Sequence, residues 1–148
     1  MDMAAIHHRI GIKASPESIY QALTTNEGLT RWWTNDVSGA GAIGSIIQFR
    51  FNGGGPDFEV TELVENKTVH WQHSGNVPEP WVGTEITFHL QGEDDQTYVL
   101  FSHFNWHETS DFMAHCSTKW AVFLLSLKEA LETGKGKPFP HDIAIDHS

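Results

Sequence analysis

The chain has 148 residues, a net charge of −10 at neutral pH and an ordinary apolar content of 39%. That length and composition fit one domain with a real hydrophobic core and exclude a disordered chain. The acidic balance argues against nucleic acid, which proteins hold mainly through Lys and Arg, and the single cysteine, Cys116, excludes an internal disulfide and fits a reducing cytoplasm.

Ile6, His8, Ile10 and Ile12 alternate with His7, Arg9, Gly11 and Lys13, the pattern of a half-buried strand. The same His7, His8 and Arg9 interrupt any apolar core of the kind a signal peptide needs. Ser15-Pro16-Glu17 offers an N-cap, a proline at the first helical position and an early acid, so a helix is predicted from Pro16 to about Thr24, burying Ile19, Tyr20 and Leu23. A second short helix is predicted from about Asn26, carrying Leu29, Trp32 and Trp33; the two tryptophans point about 100° apart and cannot both be fully buried against one partner. Ser38 to Gly44 reads as a flexible loop. Its glycines do not make a phosphate loop, because the Lys-Ser/Thr pair is missing and a strand follows where a helix is needed.

Four more alternating segments follow that loop and a fifth closes the set. Ile43 to Phe51 places Ile43, Ile47, Phe49 and Phe51 inward, and Gly53-Gly54-Gly55-Pro56 turns the chain. Phe58 to Glu65 places Phe58, Val60, Glu62 and Val64 on one side, with Leu63 breaking the alternation in the manner of a bulge or a phase shift. Val69, Trp71 and His73 share the inner face of the next strand, and Ser74 to Pro80 is a loop. Thr84, Ile86, Phe88 and Leu90 alternate, as do Thr97, Val99, Phe101, His103 and Asn105, with Trp106 and His107 placed past the strand end.

Ser110 to Gly134 is the longest run that reads as a helix. Phe112, Cys116, Trp120, Phe123, Leu124, Leu127, Ala130 and Leu131 fall on one broad face. Ser110 suits the N-cap, Asp111 the positive end of the dipole, and Gly134 the left-handed stop. The longest apolar run in this helix, Trp120 to Leu125, is far too short to span a bilayer. Opposite its apolar face, Ala121, Val122 and Leu125 spoil what should be a polar back, so a cover is expected: either the tail 135–148, through Phe139, Ile143 and Ile145, or, as the favoured reading, a second copy in a homodimer.

One apolar helix face and one alternating sheet face must bury each other. The expected fold is therefore α+β: a curved antiparallel six-stranded sheet wrapped around a long C-terminal helix, with two short helices after the first strand. No composition shift or linker marks a boundary, so residues 1–148 are expected to form one domain, with a core of about 5–134 and a tail of 135–148. Six tryptophans in this length either fill the core or line a cavity too large for aliphatic side chains to close.

Ser15 to Thr25 (SPESIYQALTT), Leu29-Thr-Arg-Trp-Trp33, Gly41-Ala-Ile-Gly44 with Phe49, Val60-Thr-Glu-Leu63, Val69-His-Trp71, Gly83-Thr-Glu-Ile-Thr-Phe88 and Trp120 to Leu131 occur in an order that resembles the Aha-type activator of heat-shock-protein ATPase homologues. These belong to the START-like, SRPBCC helix-grip superfamily, which includes birch-pollen-allergen-like proteins. The resemblance covers roughly residues 5 to 133. It implies a deep cavity between sheet and C-terminal helix, used in that superfamily for lipids, sterols, polyketides and other apolar metabolites, and in some members, such as aromatase/cyclases, for chemistry.

The function expected on these grounds is binding of a small hydrophobic or aromatic metabolite or lipid, with Trp32, Trp33, Phe49, Glu62, Trp71, Trp81, Phe101, His103 and Trp120 as the ligand-binding residues and His103 as the polar anchor. One alternative is a cavity enzyme of the cyclase, dehydratase or hydrolase kind using His103 with Glu62 or His73. A further alternative is a co-chaperone-like protein-interaction module. No catalytic residue, cofactor or metal is assigned: ten histidines raise the question of zinc, but His70 and His73 face opposite sides of a strand, His103 and His107 straddle a strand end, and no His-Glu-x-x-His or Cys pair is present. Cys116 reads as a small core residue, and His115 and Lys119 flank the helix face near the cavity mouth.

Overall fold

In the computed structural model, which describes residues 4–75 and 79–146, the alternating segments pair into one open antiparallel sheet that holds the long helix against its inner face. The elements are β1 (Ala4–Ile12), α1 (Pro16–Thr24), α2 (Asn26–Thr30), β2 (Asp36–Ser38), β3 (Ile46–Arg50), β4 (Asp57–Val64), β5 (Thr68–Ser74), β6 (Glu85–Gly92), β7 (Thr97–Trp106) and α3 (Asp111–Thr133). The sheet order is β1-β7-β6-β5-β4-β3-β2. The first and last long strands in sequence are neighbours, so α3 leaves β7 and packs back beside β1. The middle of the expected loop Ser74–Pro80, residues 76–78, and the last two residues of the tail lie outside the described residues.

The sheet has seven strands, not six. The additional one is β2, three residues that pair Asp36 with Arg50, Val37 with Phe49 and Ser38 with Gln48. It is too short to show a period, and it includes the first residue of the stretch expected to be loop. The strand expected from Ile43 begins only at Ile46, and Ile43 is 61% exposed, not inward. Gly44 takes a φ of 95°, and its N–H bonds to the Val60 carbonyl at 2.8 Å, which turns the chain before the ladder starts.

Helix starts and stops follow the local chemistry. Ser15 Oγ accepts from the Ser18 N–H at 3.1 Å, Thr25 Oγ1 from Gly28 N–H at 2.9 Å, and Ser110 Oγ from Met113 N–H at 3.1 Å. Gly134 ends α3 at φ 91°. Helix α2 stops at Thr30, so Trp32 and Trp33 lie beyond it, and both are buried. They manage this by using different partners. The Trp32 indole N–H donates to the Ala22 carbonyl at 2.9 Å beneath α1, while Trp33 enters the aromatic group between sheet and α3.

Two irregularities decide which side chains face the helix. The β4–β5 register slips between Val60 and Glu62. Phe58 and Val60 face inward before the slip; after it Leu63 packs on the core while Glu62 and Val64 are exposed. Near the end of β7, Asn105 sits at φ 69°, and Trp106, three residues after His103, turns into the core. Trp106 is thus inside the strand and the core, where the sequence pattern placed it past the strand end.

The predicted face of α3 is the buried one: Cys116, Trp120, Phe123, Leu124, Leu127 and Ala130 are buried, with Phe112 and Leu131 half-buried at its ends. The tail runs back along α3 toward its N-terminus. Lys137 N–H bonds to Ser126 Oγ at 2.8 Å, Phe139 N–H to the Trp33 carbonyl at 2.7 Å, Asp142 pairs with Lys119 at 2.5 Å and Asp146 with His115 at 3.0 Å. Leu125 stays 57% exposed. No helix among the described residues is long and apolar enough to cross a membrane.

Candidate ligand cavity

A cavity of about 580 Å³ opens between the sheet, α3 and the tail. Trp33, Phe51, Gly55 and Pro56, from the connections between elements, and Trp81, from a single 3-10 turn, form one wall; α3 supplies Phe112, His115, Cys116, Lys119, Trp120 and Phe123; the tail supplies Phe139. Seven of these side chains are aromatic. Trp33 is the hub. Its ring lies 4.1 Å from Phe49, 4.9 Å from Trp120 and 6.1 Å from Trp71, between centroids. Phe101 closes the gap between sheet and helix, 5.3 Å from Phe88 and 4.5 Å from Trp120.

The nine residues singled out from the sequence separate into three groups. Trp33, Trp81 and Trp120 line the cavity. Trp32, Phe49, Trp71, Phe101 and His103 are buried behind that lining, as its packed support. Glu62 is on the opposite, exposed side of β4, because the bulge reverses the phase of the strand after Val60. Sequence reasoning did not place Phe51, Gly55, Pro56 and Phe139 at the cavity. The first three gather where the β3–β4 turn approaches the helix, and Phe139 arrives from an aperiodic tail; its ring meets Phe51 at 5.1 Å. Phe112, Cys116 and Phe123 belonged to the predicted face of α3, whose N-terminal half is the part that reaches the cavity.

Behind the lining runs a closed polar chain. The Trp120 indole N–H donates to His103 Nδ1 at 3.1 Å. An indole N–H can only donate, so His103 carries its proton on Nε2, and that N–H donates to Thr84 Oγ1 at 2.9 Å. The Thr84 hydroxyl sits 2.7 Å from the Trp81 carbonyl and 2.6 Å from His73 Nδ1. Both nitrogens of His103 are therefore in use. It is a fully buried, satisfied core group that orients Trp120, and the role of ligand anchor expected for it is corrected.

Burial drives the charges in one direction. Desolvation, and then the neighbouring His73, lowers the His103 pKa to about 2. Desolvation lowers His73 to about 4, opposed by its bond to the Thr84 backbone. Burial pushes the Cys116 thiol up to about 11, with the nearby Trp81 indole N–H pulling the other way. Cys116 is thus a thiol at neutral pH, without the character of a nucleophile. The pairing of His103 with Glu62 suggested for an enzyme does not form. His73 and His103 do stack at 5.4 Å, both neutral. Lys119 at the mouth is held by Asp142 and lies 5.1 Å over the Phe123 ring. Among the described residues, no three His, Cys, Asp or Glu side chains gather into a metal-binding group.

The chain is similar to several solved structures. It is 72% identical to the Aha1 dimer from Colwellia psychrerythraea, whose solution structure aligns over 90% of this chain and 100% of that one with a TM-score of 0.85. A protein of Staphylococcus saprophyticus (16% identity, 90% and 95% covered, TM-score 0.74) and one of Mesorhizobium loti (19% identity, 86% and 96% covered, TM-score 0.77) share the fold. Among curated proteins, none matches the chain. The family model of Activator of Hsp90 ATPase homolog 1-like proteins matches residues 13–132, from the end of β1 to the last turn of α3. The open seven-stranded sheet, the gripped C-terminal helix and this match together place the chain in the Activator of Hsp90 ATPase homolog 1-like family.

Proposed function

We propose that this chain binds a small hydrophobic, aromatic molecule in the cavity between sheet and α3. The observation that carries the reading is the wall itself: seven aromatic side chains around about 580 Å³, with His115 and Lys119 among its few polar groups. A cavity of that size and character takes a drug-sized apolar ligand, and rings as walls favour a flat one. Trp33, Trp81 and Trp120 stack on the ligand; Phe49, Trp71 and Phe101 hold those rings in place. Titration with an apolar dye, followed by tryptophan fluorescence and by displacement with a fatty acid or an aromatic hydrocarbon, tests it. Saturable quenching is the expected result. No quenching and no displacement with any apolar ligand would remove the reading. The single cysteine fits a reducing compartment, and we place the activity in the cytoplasm.

A second reading concerns assembly. The Colwellia psychrerythraea relative, at 72% identity, is described as a dimer. Leu125 remains 57% exposed on the back of α3 although the tail covers its neighbour Ser126. We infer a homodimer that buries Leu125 across a two-fold axis. Sedimentation of the wild type and of Leu125→Glu should show a dimer and a shift toward monomer. A wild type that stays monomeric at high concentration rejects the dimer, and a dimer unmoved by the change places the interface elsewhere.

A further inference from the structure

Two buried polar atoms beside the cavity have no hydrogen-bond partner among the described residues: the Trp81 indole N–H and His73 Nε2. Their rings touch, with centroids 4.7 Å apart. Trp81 is cavity wall, and His73 stands behind it on β5. Buried polar groups are almost always paired, so two orphans in contacting rings, one of them cavity wall and the other directly behind it, call for an explanation.

The polar chain behind the lining determines what these two atoms want. His103 Nε2–H already donates to Thr84 Oγ1. His73 Nδ1 lies 3.1 Å from the Thr84 backbone carbonyl, which can only accept, so Nδ1 carries the His73 proton. The Thr84 hydroxyl hydrogen then goes to the Trp81 carbonyl at 2.7 Å, and every other member of the chain is satisfied. His73 Nε2 is left as a bare acceptor, and burial keeps the ring neutral, so its lone pair stays available. Trp81 Nε1–H is a bare donor. The nearby Cys116 thiol is only a weak acceptor and does not count as a full partner for it. One group that both accepts and donates pairs both atoms; a hydroxyl does so, taking the place that a single water would otherwise fill.

We propose that the bound molecule carries a hydroxyl on its apolar body, and that this hydroxyl is seated by accepting from the Trp81 indole N–H and donating to His73 Nε2. This rests on the reading of the cavity as the ligand site. In this arrangement His103 and Thr84 are positioning residues: they hold the tautomer of His73 that leaves Nε2 free to accept. A ligand without the hydroxyl fills the same volume but leaves both atoms unpaired, which is where a built site discriminates strongly.

The test is calorimetric titration with three probes of one shape: naphthalene, β-methoxynaphthalene, which can only accept, and β-naphthol, which accepts and donates. β-Naphthol is expected to bind about tenfold more tightly than naphthalene, although it is the less apolar of the two, with the methyl ether between them. Trp81→Phe, which keeps a ring, and His73→Leu, which keeps bulk, should each bring β-naphthol to within about twofold of naphthalene. In wild-type protein labelled with nitrogen-15, the Trp81 indole N–H resonance should move downfield with β-naphthol and not with naphthalene. Three probes binding equally well to the wild type overturn the hydroxyl seat and leave the cavity reading standing. A methyl ether as tight as β-naphthol removes the role of His73. Failure of all three to bind overturns the cavity reading and this inference with it. Because the wild-type ratio is itself decisive, a variant that does not fold changes none of these outcomes.

Discussion

Lowering the pH from 7 to 5 should destabilise this protein through two histidines on the inner face of the sheet, His73, which is half-buried, and His103, which is fully buried. In the fold their pKa values stand at about 4 and about 2, against 6.5 for an exposed histidine. Below 6.5 the unfolded chain takes up protons that the folded chain refuses, so acid pulls toward unfolding. The stability is complete above 6.5 and falls with pH until each folded value is reached. At pH 5 each histidine has cost about 2 kcal/mol, from about 1.4 kcal/mol per pH unit over the roughly 1.5 units below the unfolded value. Together they cost about 4 kcal/mol, a large part of the 5–15 kcal/mol typical of a domain. The carboxylate Glu132, held below its ordinary 4.5 by the Lys13 backbone N–H and by Lys128, loses its contribution only at lower pH, outside this window. Urea denaturation at the two pH values, at fixed salt and protein concentration, measures the loss. His103→Gln should be less stable at pH 7 but lose only about 2 kcal/mol on going to pH 5, because one refused proton is gone. Equal losses for wild type and variant would show that His103 takes up a proton in the folded protein, and would refute the burial argument.

Two further outcomes follow from single contacts. Thr84→Val conserves shape but strands the His103 Nε2–H inside the core, while the Trp81 carbonyl keeps the backbone N–H of residue 84 at 3.0 Å; it should cost about 1–3 kcal/mol by urea denaturation, and no measurable loss would mean the polar chain is not closed as described. Gly136→Ala puts a Cβ 2.5 Å from the Ser126 carbonyl and 2.7 Å from the Arg31 carbonyl, both backbone, so the tail must lift from α3. Limited trypsin digestion should then cut after Lys135 faster than in the wild type, and an unchanged rate would show that the close approach does not hold the tail.

What the sequence determined by itself is whatever depends on a short range along the chain. The face Phe112, Cys116, Trp120, Phe123 and Leu127 follows from 3.6 residues per turn, and the inward sets of β1, β5 and β6 follow from a period of two. Ser15, Ser110 and Gly134 mark helix ends because a hydroxyl reaches an N–H three residues on, and because glycine alone takes φ 91° without strain. These are the features that carry the fold, and the fold was legible. Even the interruption at Leu63 was visible as a break in the pattern.

Only the tertiary structure decided the site. A one-residue slip between Val60 and Glu62 reverses every later side chain of β4, and which residue slips is settled by pairing with β5, not by β4 itself. Alternation says that Trp71, Phe101 and His103 point inward, but not how deep. Depth depends on which part of α3 lies opposite, and there Trp33 and Trp120 meet and cover them. His103 looked like a free polar anchor because its partners, Trp120 and Thr84, are 17 and 19 residues away in sequence. Phe139 joins the wall through a segment with no period at all, placed by backbone bonds to Trp33 and Asn35 and by the pairing of Asp142 with Lys119. Hydrophobic pattern reports which side of an element is dry; which dry side chains border open space is set by how two dry faces meet.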